Sequence, residues 1–394
     1  MKCNSVRFWP KSNTVFTLLS AMLLLTVAHG QTETVLHSFA NDGRDGYTPY
    51  ADVVVVNGNI YGTTFRGGLF GVGTVYKITR SGTAVILNSF SADGADGINP
   101  YGASVVRDKA GNFYGATYQG GAFGNGTVFK LDPAGNETVL HSFKVDGIDG
   151  YLPNPGLVID AVGNLYGTTY AGGTFGFGTV FKLTASGIES VLHSFDGTDG
   201  CNPVDAGVVL KGKTAMYGVT SQCGAGGVGT VFRLTQSGVL TVLHHFAADG
   251  VDGNLPNAGL VLDKKTGDLY GTTYKGGAFN NGTVYRITMS GTLSILHSFA
   301  ANGTDGANPM ARVAFDAATG NLYGTTVAGG THNLGTVFKL TPDGTETILH
   351  NFVADGIDGC QPYFSGVVLK NGSLYGATAG CGAFSGGTVY KIVP

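Results

Sequence analysis

Asn164-Leu-Tyr-Gly-Thr-Thr-Tyr170, then a glycine-rich loop, then Gly178-Thr-Val-Phe-Lys-Leu-Thr184: this pair of short runs decides the fold, because the chain writes it seven times. Gly-Thr-Val recurs at Gly73, Gly126, Gly178, Gly229, Gly282, Gly335 and Gly387, 51 to 53 residues apart. A Tyr-Gly pair precedes each copy, at Tyr61, Tyr114, Tyr166, Tyr217, Tyr270, Tyr323 and Tyr375. A fixed period near fifty residues, with several strand-like runs per unit, is the signature of a β-propeller. Working outward from the quoted runs gives one whole unit. Residues 156–160 are a short apolar run, 190–195 a run ending in His-Ser-Phe, and Ala185-Ser-Gly187 a tight turn. Runs of four to seven residues rich in Val, Thr, Tyr and Phe, bounded by Gly, Asn and Asp, read as antiparallel strands. In order they are strands A to D, with the small, apolar strand A nearest the axis.

The phase of the repeat predicts how the ring closes. The segment Glu33 to Phe39 is a D strand with no A, B or C before it, and Gly387 to Val393 is a C strand with no D after it. The expected architecture is therefore all-β: a seven-bladed propeller over residues 31–394, four antiparallel strands per blade, with the N-terminal strand completing the last blade. Closure satisfies backbone groups that an open edge would expose. Strand direction sorts the connections. The short A–B and C–D turns share one face, here the bottom, and the longer B–C and D–A loops share the top.

Residues 1–30 read as a secretory signal peptide. Lys2, Arg7 and Lys11 precede an apolar run from Val15 to Val27, and Ala28-His29-Gly30 offers small residues at a cleavage site. The alternative is an uncleaved anchor. Without the leader, 20 Lys and Arg stand against 26 Asp and Glu, with no basic cluster, so nucleic acid is not an expected partner. No second apolar stretch exists, so no membrane span is expected after cleavage. The protein is expected to be secreted or periplasmic, bacterial and monomeric. The 66 glycines are punctuated at regular intervals by apolar β-formers, which excludes disorder. Cys201 and Cys360 occupy equivalent D–A loop positions, and Cys223 and Cys381 equivalent B–C loop positions. The start of A lies beside the end of B, so disulfides Cys201–Cys223 and Cys360–Cys381 are expected. Each closes a loop of about 20 residues, worth roughly 3 kcal/mol.

The ordered set His-Ser-Phe, Asp-Gly-x-Asp-Gly, Pro, Leu-Tyr-Gly-Thr-Thr and Gly-Gly-x-Phe-Gly-x-Gly-Thr-Val-Phe-Lys-Leu resembles the bacterial GloVer tandem repeat, whose longer members are described as choice-of-anchor proteins. The resemblance spans residues 31–394. It implies secretion and a propeller-like repeat, and no established activity. The C-terminal anchoring tail of those longer members is not matched here.

Several motifs bear chemistry. Asp-Gly-x-Asp-Gly opens the D–A loops, and Asp42, Asp45, Asp93 and Asp96 are candidate Ca²⁺ ligands through oxygen; no other cofactor is expected. The same residues are ordinary turn formers. Histidines 37, 141, 193, 244, 297 and 350 recur on strand D, where Asn88 stands in the odd copy, a pattern that suggests hydrogen bonding within each blade. The B–C loops carry Phe70, Phe123, Phe175, Phe279 and Phe384, while the sixth copy has His332. These rings either stack on a ligand or plug gaps between blades. Tyr50, Tyr101 and Tyr363, just after the loop prolines, extend the same surface. A ligand sits once in a ring, so it should break the symmetry. Most copies have Gly or Ser before the Leu-Val of strand A, whereas the first has Asp52 and the sixth Arg312. That pair either orients a polar ligand or holds itself together. The expectation is a binding or structural propeller whose top face recognises a polysaccharide or an extracellular or cell-surface protein. The alternative is a carbohydrate-active hydrolase or lyase using Asp52, Arg312 and Asp205 or His332 near the channel. No Gly-x-Ser-x-Gly, His-Glu-x-x-His or phosphate-cradling loop is present.

Overall fold

A computed structural model describes residues 33–102, 104–154, 156–203 and 207–394. The leader, with the signal peptide expected there, and Asp205 lie outside the described residues. The chain forms seven blade sheets. In the third blade strands A to D are Val158–Ile159, Leu165–Gly172, Thr179–Leu183 and Glu189–Ser194. The ring closes as the repeat phase predicts. Glu33–Ser38 pairs antiparallel with Thr388–Ile392, which continues into Ser373–Thr378 and Val368–Lys370. The last blade is thus built from both ends of the ring.

The repeated residues explain themselves. The phenylalanine after each D strand (Phe39, Phe90, Phe143, Phe195, Phe246, Phe299, Phe352) is wholly buried. Each packs edge-on against the strand C aromatic of the next blade, from Phe39 on Tyr76 round to Phe352 on Tyr390, with centroids 5.0 to 5.4 Å apart. These ring pairs are the glue between blades, each worth about 1 kcal/mol beyond its buried area. The glycine of Tyr-Gly lies under that aromatic. Gly167 faces Phe181 across the B–C ladder, and a Cβ there would come within 2.6 Å of the ring. The second threonine of Leu-Tyr-Gly-Thr-Thr pairs its hydroxyl with that of Gly-Thr-Val in the dry interior, as Thr169 does with Thr179 at 2.8 Å. A buried hydroxyl needs such a partner, so the two threonines recur together.

The D–A and B–C loops meet on the top face. Two-residue ribbons join them, such as Gly46–Tyr47 with Arg66–Gly67 and Gly359–Cys360 with Gly380–Cys381. The disulfides Cys201–Cys223 and Cys360–Cys381 form there, with Cα atoms 5.3 Å apart in each. They place the protein in an oxidising extracellular or periplasmic compartment. Among the described residues no helix is long and apolar enough to cross a membrane.

Candidate functional site at the top mouth

The structure brings Asp52 and Arg312 together. Arg312 Nε donates to Asp52 Oδ2 at 2.5 Å. The other carboxylate oxygen accepts the backbone N–H of Gly366 at 2.7 Å. Asp52 leads into blade 1, Arg312 into blade 6 and Gly366 into blade 7, so one carboxylate ties the closing blade to both neighbours. Asp52 is buried, while the Arg312 side chain is half exposed. The pair lines a cavity of about 30 Å³ on the axis, with Gly156, Gly259, Met310 and Phe364 among its walls. Ser104, Gly156, Gly259 and Arg312 also line a larger adjoining cavity of about 400 Å³ walled by the strand A residues Val54, Val105, Leu157, Val208 and Leu260.

Above it sits an aromatic cluster that breaks the sevenfold pattern. Tyr50 lies 5.4 Å from Tyr101, 5.7 Å from Tyr363 and 5.5 Å from Phe65, centroid to centroid. Tyr101 reaches Phe364 at 5.2 Å and Tyr118 at 5.7 Å. These rings come from blades 7, 1 and 2 only. At the position of Tyr50 the other blades have Asn154, Val204, Asn257 and Met310. The rings of the cluster are half-buried. Burial pushes the Tyr50 hydroxyl above its ordinary pKa. The sequence pointed to Tyr50, Tyr101 and Tyr363, but not to Phe65, Tyr118 and Phe364. The signal available for Phe65 and Tyr118 was the aromatic that follows the last strand B threonine in the first, second, third and fifth copies.

Farther out on the same loops, Phe70, Phe123, Phe175, Phe279 and Phe384 are 47 to 62% exposed. That exposure argues against a gap-plugging role, for a plug would be covered. His332 is also exposed, its Nδ1 3.0 Å from the Thr331 hydroxyl.

The Asp-Gly-x-Asp-Gly carboxylates are occupied by the loops themselves. Asp42 Oδ1 accepts the N–H groups of Arg44 and Asp45, which hold its pKa below the usual carboxylate range. Asp93 is lowered by the Ser91 hydroxyl and the Ala95 N–H. Asp45 Oδ2 receives His37 Nε2 at 2.9 Å and the Ala40 N–H, and Asp96 receives the Ser91 N–H and hydroxyl. The strand D histidines thus pin the loop that follows them. Sequence reasoning missed a third member of this arrangement. Glu33, Glu137, Glu189 and Glu346 open the D strand of the next blade and reach back to it. Burial foremost, with nearby aspartates, pushes their carboxyls up to about 8, 8, 7 and 9.

Solved structures share the architecture at low identity. A puromycin hydrolase mutant aligns over 85% of this chain and 50% of its own, with 12% identity and a TM-score of 0.55. This chain thus spans about half the length of that hydrolase. An ulvan lyase of a polysaccharide lyase family, solved with a bound saccharide, aligns over 90% and 96%, with 10% identity and a TM-score of 0.49. TolB from Acinetobacter baumannii aligns over 85% and 80%, with 12% identity and a TM-score of 0.39. The likeness to the hydrolase bears on the fold alone. No curated protein matches the sequence. The Gloeobacter/Verrucomicrobia repeat matches in three overlapping segments, residues 14–214, 144–314 and 206–394. With seven copies of its motif folded as seven blades, the chain belongs to the Gloeobacter/Verrucomicrobia repeat family.

Proposed function

We propose that this protein is an extracytoplasmic binding propeller that holds a polysaccharide against the aromatic cluster of its top mouth. The observation that carries the reading is the confinement of Tyr50, Phe65, Tyr101, Tyr363 and Phe364 to three consecutive blades. A ring-wide structural duty would repeat seven times; a ligand needs one side. Half-buried aromatic faces carrying phenolic hydroxyls suit a sugar, which presents C–H faces for stacking and hydroxyls for hydrogen bonds. The saccharide lies across the mouth, on the aromatic faces above the axial cavities. The exposed phenylalanines of the outer loops extend the contact along a longer chain, and several weak contacts add through effective concentration.

The test is a glycan array with the purified protein, run beside an assay for new reducing ends. Wild type is expected to bind a restricted set of polysaccharides and release no reducing ends. Tyr101→Ala and Tyr363→Ala should each lose at least about tenfold in affinity, as expected for removal of a stacking anchor, with melting within a few degrees of wild type. Absence of glycan binding by wild type, or full binding by both folded variants, refutes the reading. Released reducing ends would replace it with a hydrolase or lyase.

A further inference from the structure

One histidine–aspartate pair differs from its six-fold pattern. Five strand D histidines place Nε2 2.6 to 3.0 Å from an aspartate Oδ2, at hydrogen-bonding distance: His37, His141, His193, His244 and His350. His297 Nε2 instead stands 3.4 Å from Asp305 Oδ2 and 3.7 Å from Glu346 Oε2, and has no hydrogen-bond partner. Asp305 Oδ1 and Glu346 Oε1 are buried without partners, as are Asp149 Oδ1, Glu189 Oε1 and Glu33 Oε1 in the equivalent clusters, so the free histidine nitrogen is what sets this cluster apart. Asp305 is 8% exposed, so this orphaned oxygen lies deep. One ligand atom from each of the three residues lies within 4.8 Å of the others. The atoms that approach His297 Nε2 are Asp305 Oδ2 and Glu346 Oε2, and a buried imidazole nitrogen left unsatisfied beside them is costly unless something fills the space between.

The spacing says what fits. Two ligands each bound at zinc's usual distance in a tetrahedron are about 3.3 Å apart. The separations around His297 match that geometry rather than a hydrogen bond. An imidazole nitrogen with two carboxylate oxygens is a donor set for zinc, whereas calcium takes oxygen alone. Asp305 Oδ2 is already held by the Ala300 N–H at 2.6 Å, which fixes the carboxylate as outer contacts do around bound metals. The three side chains are 10 to 19% exposed, enough to admit an ion and a water as fourth ligand. We propose that His297, Asp305 and Glu346 form a zinc-class divalent metal site that staples blade 5 to blade 6. His141–Asp149–Glu189 and His350–Asp358–Glu33 share the residue types, but there the histidine Nε2 is hydrogen-bonded to the aspartate.

Isothermal titration of the tag-free, metal-stripped protein with ZnCl₂ tests this, with CaCl₂ as control. One equivalent of zinc is expected to bind and to raise the melting temperature, with calcium inert. Glu346→Gln and His297→Gln should each weaken zinc binding at least about 100-fold, the scale of losing one of three ligands, and abolish the zinc-dependent rise in melting. Melting of the metal-free variants establishes that they fold, and either one suffices if the other does not. No zinc bound by wild type overturns the site. Wild-type zinc affinity in a folded variant overturns it too, because the ion then sits at another cluster.

Discussion

Replacing Glu137 by glutamine should stabilise the protein in alkaline solution and leave it unchanged in acid. Glu137 begins strand D of blade 2 and accepts a hydrogen bond from Asn88 Nδ2 of blade 1 at 2.6 Å. Its other oxygen is buried without a partner. Burial first, and the charge of Asp96 second, push the carboxyl up to about 8, against an ordinary 4.5. Below pH 4.5 the folded and unfolded chains both hold the proton, and the group favours neither. Between 4.5 and 8 the unfolded chain releases it while the folded chain keeps it. The folded state then binds more protons, so stability falls as pH rises. Above 8 the folded carboxyl ionises and the full cost is present. A carboxyl held at about 8 rather than 4.5 resists ionisation by about 5 kcal/mol. Local relaxation and water penetration bring the expected difference to about 2–3 kcal/mol. Glutamine keeps an oxygen for Asn88 and cannot ionise. Urea denaturation at pH 4, 7 and 9 should therefore show nearly equal midpoints at pH 4 and a variant ahead at pH 9 by that amount. Glu33, Glu189 and Glu346 titrate in both proteins, so the difference isolates Glu137. Parallel behaviour across the whole range, or a variant that is weaker at pH 9, would refute the reasoning.

Three further outcomes test the architecture. Deleting residues 31–40 removes the outer strand of the closing blade and should lower the melting temperature or leave the protein insoluble; unchanged melting would defeat the closure. Arg312→Ala leaves the buried Asp52 with only the Gly366 N–H and should cost about 1–3 kcal/mol, more than Asp52→Ala, while the double variant recovers part of the loss; strict additivity in urea denaturation would show that the pair is not coupled. Gly167→Val drives a side chain into the Phe181 ring and should destabilise by about 3 kcal/mol or more; a soluble variant with wild-type melting would show that the glycine serves no packing duty.

The blade order, closure and disulfides were legible in the sequence because each depends on contacts inside one repeat or on its phase. Tyr-Gly marks a strand B glycine whose aromatic partner lies about fourteen residues on, within one hairpin, and the cysteines fall at matching positions of two copies. What lay between repeats was harder to see. The partner of His297 is Glu346, the opening residue of a strand in the following unit, and only four of the seven units carry a glutamate there. Comparing copies position by position identifies what recurs. It does not reveal which residue of copy five meets which residue of copy six. The aromatic cluster was half legible: Tyr50, Tyr101 and Tyr363 share one position, whereas Phe65 packs on Tyr50 from the end of strand B of its own blade and Phe364 reaches Tyr50 and Tyr101 only through closure.

Two departures from symmetry, the Asp52–Arg312 pair and the aromatic cluster, lie at that closure, and there is a physical reason. Six blades are continuous in the chain, whereas the seventh is joined only through the ladder between Glu33–Ser38 and Thr388–Ile392. A propeller opens first where no covalent link crosses the blade. Two further ties cross that seam: the Asp52 carboxylate bridging Arg312 and the Gly366 N–H, and the rings of Tyr363 and Phe364 packed on Tyr50 and Tyr101. A ligand held by that aromatic cluster touches blades 7, 1 and 2 at once. It binds only the closed ring, so mass action makes it a third tie across the same seam. The site proposed for recognition and the seam that needs most support are thereby the same part of the molecule.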